Sequence, residues 1–312
     1  VPRLGRIVEV KIGATKGEGG TRGKTVTIGG EKELPFFSLK EGIRDPVLAL
    51  QVLDKPIGVP TSLAEELGAL VNDPVKWAKA GVEKFKADAV AVKLISAHPT
   101  LGVKSKINLK DFLKRLIRAI EVPLIICAPG SPEKDGEVLE EAAEASRGEG
   151  CALASATLNN EYRRIVEAAV RHGHSVVAET GCDPSLQRSL NERLLEAGLP
   201  KDKLLMDPTS AALGLGIEYS ISIIEQLKLA ALTGDEPLQA PITCIRAPAY
   251  SWSAREAWAE DPKLGPREVR GPLWEAVTAL SLFLAGANLL VLAHPRALVK
   301  LKWFLKVKEG SN

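Results

Sequence analysis

Short apolar runs rich in Val, Ile and Leu recur eight times, at 47–53, 89–95, 124–128, 152–156, 175–179, 204–207, 242–246 and 288–292. Each is followed by a longer segment of helical character. Runs of four to eight residues alternating with helical patterns read as β-α units around a parallel sheet. Strands covered on both faces should be nearly continuous in apolar character, and these are. Eight such units predict an α/β fold, a (β/α)8 or TIM barrel. In that architecture binding and chemistry gather at the C-terminal edge of the strands, where the β-to-α loops lie.

The length supports one such domain. A barrel with its loops takes roughly 250 residues, and the chain has 312, of which 45% are hydrophobic. Residues 1–44 depart from the rhythm: an alternating stretch at 7–12, a Gly-rich turn at 13–23 and a second alternating stretch at 25–28 predict an N-terminal β-hairpin extension. The Gly-rich turn is no phosphate loop, because no G-K-[ST] follows it. The expected division is therefore a hairpin at 1–44 and a barrel at 45–312. An insertion at 251–272 carries Trp252 and Trp258. Its length and tryptophans suit a lid or a partner surface.

Charge excludes several function classes. Forty-one basic residues against 39 acidic ones leave a net charge of +2, without the basic bias that nucleic acid or an anionic membrane surface would select. No run reaches the 18 apolar residues of a membrane span and no signal-peptide core opens the chain, so a cytoplasmic protein is expected. Cys127, Cys151, Cys182 and Cys244 stand singly, with no C-x-x-C pair, and are read as buried, reduced packing residues rather than cluster ligands. Asp73-Pro74 and Asp183-Pro184 mark helix starts, an N-cap acceptor followed by a proline preset for the first turn.

The strand ends carry the candidate site. Ala-His-Pro recurs after the second and eighth runs, bringing His98, with Thr100 beyond it, and His294 to one rim. They could cap the turns that follow or donate hydrogen bonds and move protons. His172 and His174 belong to the opposite rim. Asp54, Lys93, Ser155, Thr157, Asn159, Glu179, Thr180, Asp207, Thr209, Ser210 and Arg246 crowd late strand positions. Charges there must pair or line a site, and Lys93, Glu179 and Arg246 could form a salt-bridged upper layer. Gly214 and Gly216 could let the backbone approach a flat ligand. No nucleophile-base signature and no metal-binding His pair on one helix accompanies these residues.

Three segments carry a resemblance: D-P-T-S-x(3)-L-G-x-G-I-E-Y-S-x-S-x-I-E at 207–225, E-T-G-C-D-P at 179–184 and A-P-A-Y-S-W-S-A-R-E-A-W at 247–258. With them the chain resembles the small subunit of the corrinoid iron-sulfur protein of the anaerobic acetyl-CoA pathway. The resemblance implies a heterodimer that carries a methyl group on cobalt, from methyltetrahydrofolate through a separate methyltransferase, to acetyl-CoA synthase. It implies a barrel mouth that caps a corrinoid (cobalamin) shared with the large subunit. The large-subunit pattern of clustered cysteines and D-x-H-x-x-G is absent, so no iron-sulfur cluster or cobalt is expected on this chain by itself. The resemblance makes His98, Thr100, Thr157, Asn159, Thr180, Asp207, Thr209, Ser210, Gly214, Gly216 and His294 the expected corrin contacts. Two alternatives stay open: a barrel methyltransferase that itself grips methyltetrahydrofolate through Asp207, Asn159 or Asp54, and a purely structural partner subunit.

Overall fold

Period-two alternation inside the short strands sorts the apolar residues into two layers. In a computed structural model describing residues 5–35, 44–101, 108–208, 216–246 and 251–309, the eight runs form β3 (Val47–Leu53), β4 (Ala89–Lys93), β5 (Leu124–Cys127), β6 (Ala152–Ala156), β7 (Ser175–Glu179), β8 (Leu204–Asp207), β9 (Thr243–Cys244) and β10 (Leu289–Leu292). All pair in parallel, in the order β8-β7-β6-β5-β4-β3-β10-β9, and a single bridge between Met206 and Ile242 joins the two ends. This is the expected (β/α)8 barrel, with its weakest seam between β8 and β9. The seam is reinforced by the Thr243 hydroxyl, which donates to the Met206 carbonyl at 3.0 Å.

Leu48, Leu50 and Val52 point outward into the layer shared with the helices, whereas Val47, Ala49, Ala89, Ala91, Ile125, Ala152, Val177, Leu205 and Val291 fill the interior. The helices are α1 (Thr61–Leu67), α2 (Pro74–Glu83), α3 (Leu109–Ala119), α4 (Pro132–Ala145), α5 (Tyr162–His172), α6 (Pro184–Glu196), α7 (Ile217–Leu232), α8 (Arg255–Trp258), α9 (Arg267–Ala285) and α10 (Pro295–Glu309). α3 follows the predicted stripe, with Phe112, Leu113, Leu116 and Ile117 buried and Lys110, Lys114, Arg115 and Arg118 exposed. The Asp-Pro starts hold: Asp73 Oδ1 accepts from the Lys76 amide, and Asp183 Oδ1 from those of Ser185 and Leu186. Among the described residues no helix is long and apolar enough to cross a membrane.

The N-terminal residues form an antiparallel pair, β1 (Val10–Ile12) and β2 (Val26–Ile28). Val10, Ile12 and Ile28 are buried against the interior residues of the barrel, so the hairpin stoppers its N-terminal end. Arg22 fixes the stopper. Its guanidinium, almost wholly buried, pairs with Glu149 at 2.8 Å and donates to the carbonyls of Ile117, Ile120 and Val122 around the end of α3.

Candidate functional site

With the lower end filled and the interior lined by Ala49, Ala89, Ala91, Ala152 and Ala154, space remains at the C-terminal mouth. A cavity of about 620 Å³ opens there, floored by Gln51, Lys93, Cys127, Ala154, Ser155 and Ile245 and walled by residues 57–62, Trp252 and Trp258. Inward register explains the floor: Gln51 and Leu53 continue the series of Val47 and Ala49, as Lys93 continues that of Ala89 and Ala91. A register shift between Ala154 and Ala156 marks a bulge that leaves Ser155 on the cavity.

The charged layer is only partly paired. Arg246 Nη1 lies 3.2 Å from Glu179 Oε1, while Glu179 Oε2 is buried with no hydrogen-bond partner among the described residues. Lys93 has no ion pair among them. Burial, and then the nearby Arg246 guanidinium, lower its ammonium below the usual lysine range. Cys127 reaches the same floor, but burial pushes its thiol up to about 12, so it stays protonated and unreactive near neutrality. Cys151 and Cys244 are buried as expected; Cys182 is not. It lies exposed in the turn after β7 with φ of 36°, because that turn runs across the rim instead of into the core.

Two carboxylates of the rim, Asp207 and Asp54, bond within the protein. Asp207, buried, accepts from the Ile245 amide at 2.7 Å and so ties β8 to the segment after β9. Asp54 accepts from both the amide and the hydroxyl of Ser96, and burial raises its pKa. The histidines serve their turns. His98 Nδ1 accepts from the Thr100 amide at 3.3 Å, and His294 Nδ1 from the Arg296 amide at 3.1 Å. Burial holds His294 down to about 4, hence neutral near pH 7. His172 and His174 lie at the far end of the barrel, where His174 bridges the Cys151 amide and the Ala143 carbonyl.

A second, smaller cavity of about 280 Å³ adjoins the first through Arg246, and it brings Thr157, Asn159 and Thr180 together beside Glu179. The Thr157 hydroxyl accepts from the Asn159 amide, and Thr180 donates to Gln187. Asn160, whose amide bridges the Thr157 N–H and the Ser155 carbonyl, organises this loop. His98, Thr100 and His294 line neither cavity. Gly216, with φ of 93°, directly precedes α7 and lines neither. Thr209, Ser210 and Gly214 lie outside the described residues.

The insertion resolves into short turns at Ser251–Ser253 and Pro262–Leu264, the single-turn α8, and then α9, which starts at Arg267 and runs through Pro272. Its two tryptophans differ. Trp258 is 54% exposed and edges the cavity, whereas Trp252 is only 7% exposed. Trp252 stacks on His294 with centroids 5.5 Å apart, and its indole N–H donates to Glu275 at 3.0 Å. Glu275 also receives the amides of Ala293 and His294, which makes it the strut between the insertion and the end of β10. Glu275 was not singled out in the sequence. A lone acidic residue amid the apolar positions of α9 is its only mark there. Gln51 could have been found from its place in the inward series.

Among the described residues no group of three or more His, Cys, Asp or Glu is placed to hold a metal ion. The class of fold is shared with dihydropteroate synthases. The enzyme of Yersinia pestis, solved with a pterine-sulfa conjugate, superimposes with a TM-score of 0.56 at 13% identity, covering 86% of this chain and 94% of that one. That of Thermus thermophilus with 4-aminobenzoate gives 0.55 at 18% identity, covering 86% and 95%. At such identity the likeness speaks for the fold alone. The sequence is more specific: residues 9–261 match the CO dehydrogenase/acetyl-CoA synthase delta subunit family, and the chain belongs to it. The acetyl-CoA decarbonylase/synthase complex subunit delta of Methanosarcina mazei is 41% identical over 98% of this chain and 71% of its own length. That of Methanopyrus kandleri is 43% identical over 94% and 73%.

Proposed function

We propose that this chain is the barrel subunit of a corrinoid methyl carrier within an acetyl-CoA-forming or acetyl-CoA-cleaving complex, and that its mouth covers a corrinoid held mainly by a larger partner subunit. In this reading the corrinoid carries a methyl group on cobalt between methyltetrahydrofolate, served by a methyltransferase, and acetyl-CoA synthase. The chain contributes shape, exclusion of water and hydrogen bonds, works in the cytoplasm and performs no bond-making step of its own.

The donor set of the mouth suits such a group. A corrin is a broad macrocycle edged with amides, and Gln51, Ser155, Thr157, Asn159 and Thr180 are neutral groups that can bond to amides, beside the apolar edge of Trp258. Neither rim histidine offers a free Nδ1, since each accepts from its own turn.

The observation that favours the reading over a methyltransferase gripping a pterin through Asp207 or Asp54 is that both carboxylates already accept hydrogen bonds within the chain. Asp207 Oδ2 accepts from the Ile245 amide and Asp54 from the amide and hydroxyl of Ser96. Asn159 sits at an exposed loop position beside Thr157.

The test has two arms. Isothermal titration of the isolated chain with methyltetrahydrofolate should give no binding. The pair formed with the corrinoid-bearing subunit should show a visible corrin spectrum that shifts on Trp258→Ala. Stoichiometric folate binding by the isolated chain, or a spectrum indifferent to the mouth, would overturn the proposal.

A further inference from the structure

Asp54, Asp135, Glu149, Asp207 and Glu275 are buried carboxylates that all accept hydrogen bonds within the chain. Glu179 is satisfied only by half. It ends β7, where it continues the inward series of Val177, and only 8% of it is exposed. Its Oε1 takes the Arg246 guanidinium at 3.2 Å. Its Oε2 has no partner among the described residues, and the side chain lines the cavity of about 280 Å³. A buried carboxylate oxygen left unmet is costly, so this position calls for a donor from outside the chain.

Lys93 is the converse case. It ends β4 on the floor of the larger cavity, and its ammonium has three N–H groups and no ion pair among the described residues. Lys93 and Glu179 act on each other through space without bonding, so a group placed between them can bond to both. The formal charges decide which group suits. Lys93 and Arg246 act there with Glu179, Asp135 and Asp207, two positive charges against three negative ones. A carboxylate would set a further negative charge against Oε2. An ammonium could donate to Oε2 but has no acceptor for Lys93. A primary carboxamide is neutral and offers both, an N–H and a C=O.

We infer that Glu179 and Lys93 form a subsite for one propionamide arm of the corrinoid, the arm's N–H donating to Glu179 Oε2 and its C=O accepting from the Lys93 ammonium. The identity of the ligand rests on the proposed function, which brings the amides of the corrin edge to this mouth. The longer arms fit because both groups are strand residues, set deeper than the loops of the rim. Such a subsite selects the amidated corrinoid over the same macrocycle with that arm left as an acid.

The experiment loads the pair of this chain and the corrinoid-bearing subunit with hydroxocobalamin and with its three monocarboxylic acids, in each of which one propionamide is a carboxylate. Visible titration gives the dissociation constants, and the ratio of acid to amide cancels whatever the partner contributes. For wild type, one of the three acids should bind at least about tenfold more weakly than the amide. Glu179→Gln, whose amide can donate to a carboxylate, should abolish or reverse that ratio for the same acid. Lys93→Met removes a positive charge and should widen it. Glu196→Gln, at an exposed position on α6, should leave it unchanged, and thermal unfolding checks each fold. If Glu179→Gln fails to fold, Lys93→Met decides alone. Ratios indifferent to both substitutions, with a corrin spectrum still sensitive to Trp258→Ala, overturn the subsite and spare the capping role. A spectrum indifferent to Trp258→Ala overturns the capping role whatever the ratios. Binding of methyltetrahydrofolate to the isolated chain that Glu179→Gln abolishes would assign the same amide-reading pair to a pterin lactam and overturn the corrinoid assignment.

Discussion

Replacing Glu275 by Gln should change how the stability of this protein depends on pH. The carboxylate is fully buried, and burial raises it from 4.5 to about 7, against the three N–H donors of Trp252, Ala293 and His294. Because the folded chain holds this proton up to a higher pH than the unfolded chain does, the folded state binds more protons between the two values. Stability from this group is therefore complete below about pH 4.5 and is lost as pH rises through about 7. At about 1.36 kcal/mol per pH unit, the change between pH 5 and 8 is about 3 kcal/mol. Guanidinium unfolding of wild type and Glu275→Gln across that range measures it. Wild-type stability relative to the variant should fall by about that amount, and taking the difference removes other groups such as His294. A flat difference, or one that grows with pH, would refute the reasoning. It would mean that the three donors, not burial, govern the carboxylate.

Two further substitutions test the supports of the mouth and the stopper. Trp252→Ala should cost about 3–5 kcal/mol in chemical unfolding, as loss of a buried ring does, because the indole is packed against His294 and not against solvent. Arg22→Met leaves Glu149 buried without its partner and should cost about 3–5 kcal/mol, with proteolysis of residues 5–35 as an independent measure of a loosened hairpin.

What could be read from the chain alone follows from which forces are local. Strand positions come from runs of apolar residues, and all eight are found, though Thr243–Cys244 is shorter than its run because the ladder at the seam reduces to one bridge. The hairpin was legible from alternation, but its role as stopper depends on Val10, Ile12 and Ile28 meeting residues up to about 280 positions away. Side-chain commitments were the least legible. Asp207 reads as a rim ligand in sequence and is found accepting from the Ile245 amide, and Trp252, in a segment read as suited to a lid or a partner surface, is found buried against His294 and Glu275, contacts that the local pattern does not encode.

Among the described residues the hairpin closes the N-terminal end of the barrel, and the cavity opens at the C-terminal rim. Whatever enters the cavity above Lys93 and Ser155 must leave by the same route. A partner laid across the rim would thus seal a chamber, not merely cover a surface, and the water inside would be either expelled at closure or held until release. Expulsion from a space of about 620 Å³ would register in calorimetry as a negative heat-capacity change on association. It would also make the rate at which the rim reopens, rather than diffusion through the barrel, the limit on turnover of anything the chamber holds.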